Sequence, residues 1–320
     1  MWALALPLLL LTLPGCHALV AHYAYRPPNR QPILKTLTNP SDEHDQPEGS
    51  QALRVELDNG VTLHADFYHP LPLKPGGSHP RAPHPPLALL LHTYAHSARQ
   101  PALRPWIHAF RQAGYTVLAP DLPGHGRSSP DQPTFGLREA ESLVLLLKHL
   151  HNNPPKLTDS IRGPAPLQPL VLFGISYGAT TALHLAAHPD PPFTPTALIT
   201  LAPFADPNAA IASYARHAAH PFLLLTPPSW ITHAARRTQR KALQHDPPTP
   251  LHAAANLPPD LPWLILHGLD DRHAPPHNAH TLFDGRPPNT TLELVPHRDH
   301  HSLLLSPETY LIPRVFEFIP

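Results

Sequence analysis

Apolar and polar positions alternate with two periods along this chain. Gln51–Leu57 and Val61–Tyr68 alternate residue by residue and are joined by Asp58-Asn59-Gly60, which predicts a β-hairpin. Leu87–His92 is a continuous apolar run bounded by Pro86, the pattern of a strand buried on both faces. Over residues 99–113 the period changes: Leu103, Trp106, Ile107 and Phe110 fall on one helical face, and Gly114 supplies the stop. The same reading predicts strands at Tyr115–Pro120, Leu170–Gly174, Ala197–Leu201, Trp263–His267 and Thr291–Val295, and helices at Leu137–Leu150, Ala179–Ala187 and 308–319. Strands separated by helices of about 10 to 15 residues form βαβ units. The expected fold class is therefore α/β, a mostly parallel sheet with helices on both faces and the hairpin at one antiparallel edge. Residues 204–256 break the rhythm. They form a partly helical insertion rich in Ala, His and Pro, expected as a lid over the carboxyl ends of the strands, where such sheets place their ligands.

The amino-terminal segment follows neither period. Trp2–Leu13 is apolar apart from Pro7 and Thr12, shorter than the roughly 20 residues that span a bilayer and of the length of an export-signal core. It ends in Leu13-Pro14-Gly15-Cys16, which resembles a bacterial lipobox, although it has no Lys or Arg before the apolar run and Pro14 is an unusual neighbour. The resemblance implies cleavage after Gly15, lipidation of Cys16 and a membrane-anchored protein of the periplasm or cell envelope. An ordinary signal cut near Ala18 and an uncleaved anchor are the other readings, and all three place the protein outside the cytoplasm. Residues 17–50, with Pro27-Pro28, Asn39-Pro40 and a polar run to Ser50, read as a tether. That leaves 51–320 as the folded domain.

Composition narrows the function classes. The chain has 320 residues with 23 Lys+Arg and 23 Asp+Glu, so the formal net charge is zero, which argues against binding nucleic acid by bulk positive charge. A single Cys excludes an internal disulfide and a multi-cysteine zinc site. His267, Asp270, Asp271 and His273 form one metal-compatible cluster, and His297, Asp299, His300 and His301 another. With 27 His in the chain such clusters arise readily, and no metal is expected at either. Gly124-His125-Gly126 lacks the spacing of a phosphate loop.

The most specific feature is Gly174-Ile175-Ser176-Tyr177-Gly178, placed between a buried strand and a helix. A Gly-x-Ser-x-Gly turn in that setting is sharp and strained, needs small neighbours, and presents the serine hydroxyl at the end of the sheet beside a helix N-terminus. A serine hydroxyl is a poor nucleophile at neutral pH and requires a base, a His oriented by a carboxylate. Paired candidates occur for each role, Asp270 or Asp271 for the acid and His300 or His301 for the base.

Several segments together make residues 51–320 resemble the α/β-hydrolase superfamily. They are the serine turn, His92 after the third strand, Asp121-Leu122-Pro123-Gly124-His125-Gly126-Arg127-Ser128, and His267-Gly268-Leu269-Asp270-Asp271-Arg272-His273-Ala274-Pro275. The third of these is similar to a signature of monoacylglycerol-lipase-like members, and His300-His301-Ser302-Leu303 mirrors the spacing of a Bem46-like branch. The resemblance implies Ser176 as nucleophile. The spacing from His267-Gly268 to Pro275 favours Asp271 over Asp270, and the ungapped register favours His300 over His301. It implies an oxyanion hole from the backbone N–H groups of Tyr177 and Tyr94. Two positions depart from the family pattern: Thr93 and His297 stand where glycine is usual.

The expected activity is serine hydrolysis of a carboxylic ester with an apolar acyl group, through an acyl-enzyme and without a cofactor. Phe222–Leu225, Trp230 and Ile231 in the insertion support the apolar preference. Perhydrolase or acyltransferase chemistry on the same triad is the rival within enzymes, and a surface-anchored binding protein that has kept only the fold is the rival from another class. Haloalkane dehalogenation is disfavoured, because those relatives carry Asp where Ser176 stands.

Overall fold

The computed structural model describes residues 47–72, 85–131, 133–153, 170–191, 193–214, 227–243, 248–305, 307 and 309–320. The export signal with Cys16, most of the tether and Phe222–Leu225 lie outside these residues. No described helix is long and apolar enough to cross a membrane.

One eight-stranded sheet organises the chain, from β1 (Ser50–Glu56), β2 (Thr62–Tyr68), β3 (Leu87–Leu91) and β4 (Thr116–Pro120) to β5 (Leu170–Ile175), β6 (Pro195–Leu201), β7 (Trp263–Gly268) and β8 (Thr290–Val295). Its order is β1-β2-β4-β3-β5-β6-β7-β8. β1 and β2 form the predicted hairpin, Gly60 takes its turn with φ +80°, and β2 pairs antiparallel with β4. Every pairing beyond β4 is parallel. The continuous apolar runs are central strands because helices cover both faces. Leu87, Leu89 and Leu91 face one hydrophobic cluster and Ala88 and Leu90 the other.

Nine helices are described: α1 (Arg104–Gln112), α2 (Leu137–Asn152), α3 (Tyr177–Ala186), α4 (Pro207–Tyr214), α5 (Pro228–Leu243), α6 (Pro250–Ala255), α7 (His277–Asp284), α8 (His300–Leu305) and α9 (Leu311–Phe318). The first cluster is closed by α2, α3, α6 and α7, and the second by α1, α8 and α9. In α1 the buried Trp106, Ile107 and Phe110 lie on the face predicted from their spacing, preceded by a 3₁₀ turn at Pro101–Leu103. α3 starts two residues before the predicted boundary, directly after the serine. The short helices α7 and α8 have too few apolar positions for their period to be read. The insertion between β6 and β7 contains α4, α5 and α6. Of its named apolar residues, Trp230 is exposed and Ile231 is buried.

Candidate active site

The site is built where β3, β5, β6, β7 and β8 end. Ser176 follows β5 and is the residue before α3, with φ +53° and ψ −110°. A non-glycine residue there is strained, and the packing around it fixes the turn. A Cβ on Gly174 would strike the backbone of Gly178, and one on Gly178 would strike the backbone of Leu91 and His92. Both glycines are therefore required by close approach, which brings the start of α3 against the end of β3. Tyr177 is the first residue of α3, so its N–H has no acceptor within the helix and lies at the positive end of the helix dipole.

Asp271 follows β7 and is buried, with 2% of its surface exposed. Its Oδ1 accepts from the N–H groups of His273 (2.9 Å) and Ala274 (2.8 Å), and its Oδ2 accepts from His300 Nδ1 (2.7 Å). Burial pushes the Asp271 carboxyl up, but the His300 hydrogen bond and charge and the Ala274 N–H outweigh it and hold the group below the ordinary carboxylate range. The neighbouring Asp270 is exposed. His300 opens α8. Asp299 caps that helix, its Oδ1 accepting from the backbone N–H and the hydroxyl of Ser302, both at 2.7 Å. With Nδ1 committed to Asp271, His300 can present Nε2 as an acceptor. Ser176, His300 and His301 all line one cavity of about 360 Å³, whose wall includes Tyr94, Phe135, Phe204 and Ile211. That volume is at the low end of the ~300–1,000 Å³ typical of small-molecule sites.

The loop after β3 is fixed by His92, which is fully buried. His92 Nε2 accepts from the Leu122 N–H (2.9 Å), so Nδ1 carries the proton and donates to the Thr93 carbonyl (2.7 Å). Burial lowers the imidazole to about 4 and keeps it neutral. Because the peptide is planar and trans, holding the Thr93 carbonyl also sets the direction of the Tyr94 N–H, opposite to it. The Thr93 side chain, where glycine is usual, donates its hydroxyl to Gln100 Oε1 at 2.8 Å. Further along, Arg99 makes a two-pronged pair with Asp66 on β2 (2.8 and 2.9 Å), and Ala98 N–H donates to Asp121 Oδ1 (2.7 Å). Arg127 joins Asp66 to Asp121, so two acids and two guanidiniums tie the loops after β3 and β4 to the sheet.

A second buried carboxylate organises the aromatic wall. Glu139 of α2 accepts from Thr134 N–H (2.8 Å) and hydroxyl (2.7 Å), Gly136 N–H (2.9 Å) and the Tyr177 hydroxyl (2.6 Å). Burial, and then the Glu139 carboxylate, raise the Tyr177 phenol well above its ordinary value, so it stays a donor. The loop held this way carries Phe135 at φ +58°, its ring stacked on Tyr94 at 5.6 Å. Glu139 was not among the residues singled out from the sequence, and His92 was singled out only as the mark of the loop after the third strand. The one available signal for Glu139 was its position three residues after Gly136, where an acid turns back on a helix start. Among the described residues no group of three or more His, Cys, Asp or Glu is placed to hold a metal ion.

The alpha/beta hydrolase family profile matches residues 75–311. The chain belongs to the alpha/beta hydrolase family. No curated protein matches this hydrolase. Among solved structures it is similar to an esterase of Pyrococcus furiosus, at 19% identity and a TM-score of 0.59, over 84% of this chain and 90% of that one. A thermophilic esterase of Thermogutta terrifontis matches at 19% identity and a TM-score of 0.52, over 83% and 97%. A puromycin-hydrolyzing peptidase of Mycobacterium tuberculosis matches at 17% and 0.56, over 84% of this alpha/beta hydrolase and 39% of the peptidase. At these identities the likeness carries the fold and not the substrate.

Proposed function

We propose that this alpha/beta hydrolase cleaves carboxylic esters through Ser176, His300 and Asp271. The observation that carries the reading is that Ser176, in its strained turn, faces the same cavity as His300, whose other ring nitrogen is bonded to the buried Asp271. Ser176 Oγ attacks the carbonyl carbon while His300 Nε2 takes its proton, and the Asp271 carboxylate stabilises the imidazolium. The carbonyl oxygen becomes an oxyanion and accepts from the Tyr177 and Tyr94 N–H groups. Collapse breaks the ester bond, His300 protonates the departing alcohol, and the acyl group stays on Ser176. A water molecule, deprotonated by His300, then attacks the acyl-enzyme and releases the acid. The aromatic and aliphatic walls favour an apolar acyl group over a peptide. A cavity of this size suits a short one.

The test is hydrolysis of p-nitrophenyl esters of graded chain length by the wild type and Ser176→Ala, with a fluorophosphonate probe alongside. The expected result is turnover and labelling by the wild type and a loss of at least about 10³-fold in the variant. A folded wild type that neither turns over nor labels would favour the binding-protein reading.

A further inference from the structure

The basic and acidic residues of the chain balance overall but are not evenly spread. Residues 207–245 contain Arg216, Arg236, Arg237, Arg240 and Lys241 and no Asp or Glu. All of these cations except Arg216 belong to α5. Helical spacing puts Trp230, His233, Arg237 and Arg240 on one side of α5, at i, i+3, i+7 and i+10, with Arg236 beside them and Ile231 on the opposite side. The structure has that polarity. Ile231 is fully buried, Trp230 is 44% exposed, and His233, Arg236, Arg237 and Arg240 are exposed. Because α5 contains no acid, no ion pair within the helix neutralises its guanidiniums, and Arg236 and Arg240 stand as a like-charge pair at i, i+4. The helix packs against α4, whose Ala210 and Ile211 line the cavity shared by Ser176 and His300.

A row of exposed cations by itself is a solvated surface. Trp230 changes the picture, because a large apolar ring shares the face with the cations. Contact of the ring with water is unfavourable, and the cations repel one another. One environment relieves both, the interface of an anionic bilayer, where indole sits at the headgroup level and guanidiniums meet phosphates. We infer that the exposed face of α5 docks on an anionic phospholipid bilayer. The helix lies flat on the surface, with Trp230 at the boundary between headgroups and acyl chains and Arg236, Arg237 and Arg240 among the phosphates. A lipid surface fits better than a nucleic acid. Outside α5 acids outnumber bases, which would repel a long polyanion wrapped around the molecule, whereas a planar surface meets this one face. Docking there sets the cavity one helix away from the lipid. The inference does not depend on the ester-hydrolase reading.

The test measures partition of the full chain into vesicles of phosphatidylcholine alone and of phosphatidylcholine mixed with phosphatidylglycerol. The phosphatidylcholine carries bromine on its acyl chains close to the headgroup, which quenches tryptophan on contact. Trp2→Phe and Cys16→Ser are made in every sample, so that neither the amino-terminal tryptophan nor a lipid on residue 16 contributes. Trp106 and Trp263 are fully buried, which leaves Trp230 as the tryptophan within reach of bromine. With α5 intact, partition should be tighter into the anionic vesicles, with Trp230 quenched there and both effects weakened by salt. In Arg236→Gln/Arg237→Gln the ratio of anionic to neutral partition should fall by about 30-fold, and in Trp230→Phe the quenching should vanish. Arg54→Gln/Arg286→Gln, which removes two exposed guanidiniums elsewhere, should leave both readings as they were. Equal partition into the two kinds of vesicle, an equal fall in the Arg54/Arg286 variant, or anionic binding that leaves Trp230 unquenched overturns the inference. So does release from the vesicles by a single-stranded oligonucleotide that quenches Trp230 in their place. Each of these outcomes leaves the hydrolase reading intact, since that is tested by ester turnover.

Discussion

His297 has φ +56°, in the left-handed region where glycine is the usual occupant and where a histidine is tolerated at some cost. This is one of the two positions at which the chain departs from the glycine of its family, and the backbone has kept the conformation without the glycine. The turn matters because it delivers Asp299 to the cap of α8 and His300 to its first residue, from which Nδ1 reaches Asp271. His301, one residue on, is exposed, and its ring packs edge-on against His273 at 5.3 Å. His300→Ala is therefore expected to lower kcat by about 10³-fold, and His301→Ala by less than about ten-fold. Steady-state kinetics with a p-nitrophenyl ester check this, and the reverse ranking would move the base to His301.

At the scale of elements, the loops after β3 and β4 are tied to the sheet by buried charge. Asp66 on β2 is fully buried and receives both the Arg99 and Arg127 guanidiniums. Burial pushes its carboxyl up, but the Arg99 and Arg127 hydrogen bonds and charges hold it below the ordinary range. Asp66→Asn would remove the buried anion shared by the Arg99 and Arg127 guanidiniums. The expected cost is about 3–5 kcal/mol, read from urea unfolding. Ester turnover should fall as well, because Arg99 positions the loop that carries Tyr94 and Gln100. Unchanged stability would show that the pair is not what fixes the loop. None of this was visible in the sequence, since Asp66 and Arg99 are 33 residues apart and Glu139 and Tyr177 are 38 apart. The strands and the helices α1, α2, α3 and α9 were legible, because continuous apolar runs and a helical stripe record burial directly, whereas α5 was read only as part of a partly helical insertion. The serine turn was legible too, its glycines demanded by local sterics. Asp66–Arg99 and Glu139–Tyr177 depend on how segments distant in the chain meet, and Thr93–Gln100 on the path of the loop after β3, which no local period encodes. Between two adjacent aspartates the spacing to Pro275 already favours Asp271, and the turn after β7 exposes Asp270 and directs its neighbour inward.

Taken whole, the molecule should be acid-sensitive in a specific window. Burial lowers His69, His92, His96, His184 and His267 from the ordinary imidazole value, with His92 and His184 at about 4. A histidine whose folded value lies below its unfolded value of ~6.5 binds its proton more readily in the unfolded chain. Between pH 6.5 and 4 the unfolded state therefore takes up more protons, and stability must fall as pH falls, by on the order of 3 kcal/mol for each of His92 and His184. Below pH 4 both states hold those protons and this loss stops growing. Asp66 and Asp271 behave oppositely in position: their folded values lie below 3.8, so their contribution is intact above 3.8 and is lost only as pH drops further. The window from 6.5 to 4 thus belongs to the histidines. Urea midpoints measured at intervals from pH 7.5 to 4 should decline through it. In His184→Leu, which replaces a buried imidazole whose Nε2 has no partner among the described residues, the decline should be shallower. A profile flat from pH 6.5 to 4, or one identical in the wild type and the variant, would mean that these histidines are not held neutral by burial.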